Sequence, residues 1–168
     1  MSSTNIGIAF YTANGFPVQW VIVLSSSADP SKPFDGPVWC GTLIESVNGR
    51  VESWRQCEQG LITFSPHLFL FGVVNVGNIN QPESNIRGSI FNRAWSAQDS
   101  RSGTNGGKYP PTDAYVRQVL SYLCQKKAIS LPPRVKNNFS GHFEGLLSRI
   151  GECRMSNMVN TCPVIPIV

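Results

Sequence analysis

Over the first half of the chain, apolar and β-branched residues come in short runs that stop at turn-forming residues, the pattern of strands rather than helices. Ile6 to Tyr11 and Val18 to Ser25 are the first two runs. Between them Asn14-Gly15 supplies residues that accept the positive φ of a tight hairpin, so the two should pair antiparallel. After a loop of Ser, Asp and Pro from Ser25 to Pro37, Val38 to Ser46 and Arg50 to Gln56 flank Asn48-Gly49, the strongest short-range hairpin signal in the chain. In its second arm Val51, Ser53 and Arg55 alternate with Glu52, Trp54 and Gln56, which sets Trp54 among polar neighbours, either as an edge-packed core residue or as part of a binding surface. Leu68 to Val76 is a continuous apolar run of strand length, as expected of a central strand covered on both faces by helices.

The period then changes. Asn78 to Pro111 is polar and rich in Gly, Ser and Asn, with Ile90-Phe91 and Ala94-Trp95 as its apolar anchors, and reads as a short turn of helix plus a long loop. Pro110-Pro111-Thr112-Asp113 opens the clearest helix, in which Val116, Val119, Leu120, Leu123 and Cys124 make one apolar face and Lys126-Lys127 suit the negative end of the dipole. Pro132-Pro133 stops it. A second helix is expected from about Gly141 to Ile150, with Phe143, Leu146, Leu147 and Ile150 inward. The fold class that follows is α+β: one domain over residues 1–168, an antiparallel sheet of about five strands packed against two main helices. Residues 153–168 form an apolar, Pro-broken tail that either packs along the domain or serves a partner.

Composition sharpens this picture only in part. Charged residues make up 14% of the 168, well under the roughly 25% usual for soluble domains, and 15 Gly with 12 Pro argue for many turns. The start lacks a basic region followed by an apolar one, so no export is expected and a cytoplasmic location is the reading. The longest apolar stretch falls far short of the roughly 20 residues of a spanning helix, so no membrane insertion is expected. Charge is uneven: residues 1–83 carry three basic and six acidic side chains, residues 84–168 eleven and four. A basic second half can mark a polyanion partner, through Arg87, Arg93, Arg101, Lys108, Lys126, Lys127, Arg134 and Lys136.

Chemistry is harder to find. His67 and His142 are the two histidines, and no Cys-x-x-Cys, His-x-x-x-His or paired-carboxylate spacing offers metal ligands, so no metal is expected. Gly103 to Lys108 lacks the ending of a phosphate-binding loop, and with no dinucleotide or hydrolase-serine motif either, no cofactor is expected. Cys40, Cys57, Cys124, Cys153 and Cys162 have no paired spacing and read as reduced thiols. Cys124 falls on a buried helix face, Cys40 and Cys57 in or beside strands, and Cys153 and Cys162 are the freest candidates for a nucleophile.

The order Ile8-Ala9-Phe10-Tyr11, then Gln19-Trp20-Val21-Ile22-Val23-Leu24, a hairpin ending in a Trp, an apolar strand and a helix before Tyr122-Leu123 resembles a family of uncharacterised small fungal proteins. Their second strand carries His-Trp and their late helix opens with Cys, an arrangement similar to a circularly permuted papain-like fold of NlpC/P60 or LRAT type. The resemblance covers residues 6 to 127. Where it implies the histidine this chain has Gln19, and where it implies the cysteine it has Thr112-Asp113. Gln is no general base and Thr without an imidazole is a poor nucleophile, so the resemblance implies a degenerate site without thiol chemistry.

Three function classes follow. The first is a non-catalytic binding or protein-interaction domain, taking a small molecule or protein partner in a cleft between the second strand and the Thr112 helix, with Gln19, Trp20, Trp54, Thr112 and Asp113 as ligand-binding contacts. The second is a small enzyme using a Cys/His pair or Asp113. The third is polyanion or nucleic-acid binding through the basic half.

Overall fold

The computed structural model describes residues 2–14, 16–47, 49–65, 67–92, 112–156 and 162–168. Its centre is a six-stranded sheet. β1 (Thr4–Ala13) and β2 (Phe16–Ser25) pair antiparallel, Asn5 opposite Ser25 and Ala13 opposite Phe16, with Asn14 at φ 58° between them. β3 (Val38–Ser46) and β4 (Gly49–Cys57) form the second hairpin, paired from Val38↔Cys57 to Ser46↔Gly49. Gly15 and Asn48, the remaining residues of the two turn signals, lie outside the described residues. β5 (Phe69–Ile79) runs antiparallel to β1, and β6 (Val164–Pro166) runs parallel to β5, giving the order β4-β3-β2-β1-β5-β6.

The sixth strand comes from the end of the C-terminal tail, so residues 163–167 pack along the domain, whereas residues 153–156 of that tail continue a helix and 157–161 lie outside the described residues. Pro163 and Pro166 break the strand segment, but the backbone still closes on β5: the Val73 N–H donates to Pro163 O at 2.9 Å and the Ile167 N–H to Asn75 O at 3.0 Å. Ile165 and Ile167 are buried by this docking. Apolar residues at alternate positions are enough for a short edge strand, which is what a prediction of about five strands passed over.

Four helices are described. α1 (Glu83–Asn92) stands where a short helical turn was expected, and the stretch after it, including Arg93, Ala94-Trp95, Arg101, Gly103 to Lys108 and Pro110-Pro111, lies outside the described residues. α2 (Thr112–Gln125) begins at the predicted Thr112 but ends at Gln125, so Lys126 and Lys127 follow its last turn rather than sit in it. α3 (Pro133–Asn137) is a short turn begun by the proline pair, and α4 (Phe139–Ser156) starts close to the expected Gly141 but runs well beyond Ile150 at its C-terminal end.

The strand period of two divides the sheet into a helix face and a loop face. Ile6, Ile8, Phe10, Ile22, Leu24, Leu43 and Val74 meet Val116, Leu120, Leu123, Phe143, Leu146 and Ile150 from the helices. On the other face Ala9, Tyr11, Val21, Val23, Cys40, Leu70 and Val73 meet Phe34, Leu61 and Phe64 from two loops. β5 is thus covered on both faces, but by helices on one alone; the second cover is loop. Gly7 makes this possible, since a Cβ there would sit 2.5 Å from the Phe34 ring. Among the described residues no helix is long and apolar enough to cross a membrane.

Candidate functional site

The start of α2 does lie against β2. Thr112 is buried, and its Oγ1 accepts the Trp20 backbone N–H at 2.7 Å. Trp20 points into the helix face, edge-on to Phe10 at 4.9 Å and close to Phe143 at 5.1 Å and Phe139 at 6.3 Å. Trp54 is on the same face of β4, laid over Gly41, where a Cβ would fall 2.6 Å from the indole. Asp113 is exposed on the first turn of α2. Gln19 follows the strand alternation to the opposite face, where its Nε2 donates to Thr42 Oγ1 at 3.1 Å. The structure therefore gathers Trp20, Trp54 and Thr112 on the helix side and sets Gln19 behind the sheet.

Beside these lies a pair that residue-by-residue reading passed over. Glu52 on β4 accepts a hydrogen bond from the Tyr115 hydroxyl of α2. Burial raises the Glu52 carboxyl above the usual carboxylate range, while the Tyr115 hydrogen bond and the nearby Trp54 indole pull the other way. The Trp54 Nε1–H is buried without a hydrogen bond of good geometry, so its effect on Glu52 is that of a neighbouring dipole. Tyr115 is itself pushed upward by burial and by the adjacent Glu52. The alternation around Trp54 was the only available signal for Glu52, because its partner comes from an element 63 residues away.

Two of the five thiols are held in the protonated form. Cys40 and Cys57 are buried neighbours on the loop face, Sγ to Sγ 3.9 Å, and burial first, then Cys57, pushes the Cys40 thiol far up. Cys162 is pushed up to about 11 by burial, against the pull of Arg154. A thiol so raised is almost wholly protonated at neutral pH. The His142 ring hydrogen-bonds the Ile167 carbonyl and fastens α4 to the C-terminal strand, and His67 is exposed. Among the described residues no group of three or more His, Cys, Asp or Glu side chains could hold a metal ion.

Among the described residues a concave surface lies elsewhere, along the outer seam of the helix layer. A cavity of about 400 Å³ opens between α2 and the α3–α4 segment. Leu120, Leu131 and Phe139 provide its apolar lining, Arg117 and Lys136 its cations, and Cys124 one wall. Arg117 leans over the Phe139 ring at 5.3 Å and donates to Ser140 Oγ at 3.3 Å. No described carboxylate forms an ion pair with Arg117 or Lys136; among the described residues Arg87 pairs with Glu83, one turn apart on α1. Lys136 belongs to the basic half singled out from the sequence. Of that set, Arg87 is taken up by Glu83 and by Trp39, 3.7 Å from the ring centroid, Lys126 lies near the Tyr122 ring, and Arg93, Arg101 and Lys108 lie outside the described residues.

No family model, curated protein or solved structure matches the chain.

Proposed function

We propose that the chain is a binding domain that takes a small amphiphilic anion into the groove between α2 and the α3–α4 segment. The observation that carries this is the pairing of an apolar floor, Leu120, Leu131 and Phe139, with two cations, Arg117 and Lys136, that no described carboxylate neutralises. A cavity of this size, mostly apolar with a few placed charges, is the usual form of a small-molecule site. The raised thiols and the structural engagement of His142 support binding over catalysis. The contact of Thr112 with β2 is in keeping with a degenerate papain-like fold, with the helix start against the second strand and no cysteine there.

The test is fluorescence titration with an aromatic sulfonate, 1-anilinonaphthalene-8-sulfonate. Saturable binding is expected, abolished by Leu131→Asp, which puts a like charge on the floor, and weakened about two- to fivefold by Lys136→Gln, as for one exposed ionic contact. Equal binding by all three proteins would remove the groove from consideration.

A further inference from the structure

The groove does not end at Cys124. Beyond that side chain a second cavity of about 520 Å³ opens, and Cys124 and Lys136 line both. The lining changes character across this junction. Leu120, Leu131 and Phe139 on one side give way to Ser130 and Lys127 on the other.

Lys127 stands there against its own backbone preference. It closes α2 at φ 58°, its N–H donating to Cys124 O at 3.0 Å while the Ala128 N–H donates to Leu123 O at 2.9 Å. This is the helix-ending motif whose left-handed residue is ordinarily glycine, because a Cβ is disfavoured in that region. The helix dipole favours a cation near this end, but Lys126, one residue earlier and free of positive φ, already supplies one. The dipole alone does not account for a lysine in the strained position. An anion in the cavity does.

We infer that the ligand of the groove is a phosphate monoester with a short apolar chain, its tail over Leu131 and Phe139 and its phosphate between Lys127 and Lys136, with the Ser130 hydroxyl as a hydrogen-bond donor. This rests on the reading of the groove given above. A carboxylate or sulfonate is a single charge, which Lys136 at the junction can meet alone. A phosphate monoester carries close to two charges at pH 7, with a second ionisation near 6, and three acceptor oxygens. Two ammonium groups and a hydroxyl match that demand.

The experiment is calorimetric titration of the whole protein with octanol, octyl sulfonate and octyl phosphate, each below its micelle concentration. At pH 7.5 octyl phosphate should bind at least tenfold more tightly than octyl sulfonate. At pH 5, where the phosphate is a monoanion, the preference should shrink below about threefold. Lys127→Gly should raise the Tm by about 2 °C by relieving the left-handed residue, yet cut the phosphate preference below threefold by weakening octyl phosphate far more than octyl sulfonate. Lys136→Gln should weaken both anions. Equal affinity for phosphate and sulfonate at pH 7.5 would overturn the inference while leaving the groove in place, and a Lys127→Gly protein that keeps the preference would also overturn it. Failure of all three probes to bind would instead overturn the groove reading itself.

Discussion

The two faces of the sheet are closed by different means. On the helix face the cover is broad: Phe10, Trp20, Phe139 and Phe143 form one aromatic cluster, and α2 and α4 add rows of aliphatic side chains beside it. On the loop face a few particular contacts hold the cover. Phe34 sits against Gly7, the Tyr11 hydroxyl donates to Leu61 O at 2.5 Å, and the Arg55 guanidinium donates to Phe64 O at 2.7 Å. Area burial is non-directional and tolerates seams between the covering elements, whereas a loop lid has to meet the sheet residue by residue. One cavity described above follows the seam between α2 and the α3–α4 segment, and the other the junction of β5 with the loop after α2.

The largest expected effect lies on the helix face. Phe143 is fully buried at the meeting point of Phe10, Trp20 and Phe139, so Phe143→Ala should cost about 3–5 kcal/mol, read as a lower urea midpoint. A loss under about 1 kcal/mol would show that the helix layer can collapse into the space, and the contrast between the faces would go with it.

On the loop face the corresponding test adds an atom. In Gly7→Ala the new Cβ would meet the Phe34 ring at 2.5 Å, and overpacking of this kind costs about 1–3 kcal/mol. Because the ring belongs to a loop, Phe34→Leu in the same chain should recover part of the loss. Two losses that simply add would mean that the lid does not depend on this contact. Tyr11→Phe comes next in size. It removes one of the two hydrogen bonds to the Leu61 carbonyl, which keeps the Phe64 N–H at 3.2 Å, a cost of about 0.5–1.5 kcal/mol, and the hydrogen exchange of the Leu61–Thr63 turn should quicken with it.

The same difference explains what the chain made legible. Period-two alternation and the two Asn-Gly signals placed β1 to β4, and the apolar spacing from Val116 to Leu123 placed α2, because these are local patterns that burial reinforces. The loop cover of β5 has no period. Phe34 and Phe64 are single aromatics among turn residues, and only the fold shows that they close a face. The nominated site divided for a related reason: Trp20 and Thr112 meet as expected, but neighbours on a strand point to opposite faces, so Gln19 and Trp20 cannot serve one cleft. The groove draws on residues from Arg117 to Phe139. Leu131 and Lys136 come from a stretch that carried only a proline stop signal, and nothing local marks them as walls of one cavity.

The smallest effects concern two carboxylates, and here the regions should differ in sign. On the helix face burial raises Glu52, so the folded state holds that proton more tightly than the unfolded chain. Its contribution to stability is complete below the ordinary glutamate range and is lost as pH rises through the raised folded value. In the loop that carries Phe34, the Ser31 hydroxyl donates to Asp29 Oδ1 at 2.6 Å and the Ser31 N–H at 2.9 Å, and these bonds lower Asp29. Its contribution is present above the ordinary aspartate range and is lost as pH falls through the lowered folded value. Urea midpoints from pH 3 to pH 8 separate the two. Subtracting the Glu52→Gln curve from the wild-type curve should leave a difference that falls with rising pH, because Gln can still accept from Tyr115 but does not titrate. Subtracting the Asp29→Asn curve should leave one that rises. Two differences of the same sign would mean that solvent reaches Glu52 as freely as it reaches the loop, and that the β4 end of the helix face is not closed by burial at all.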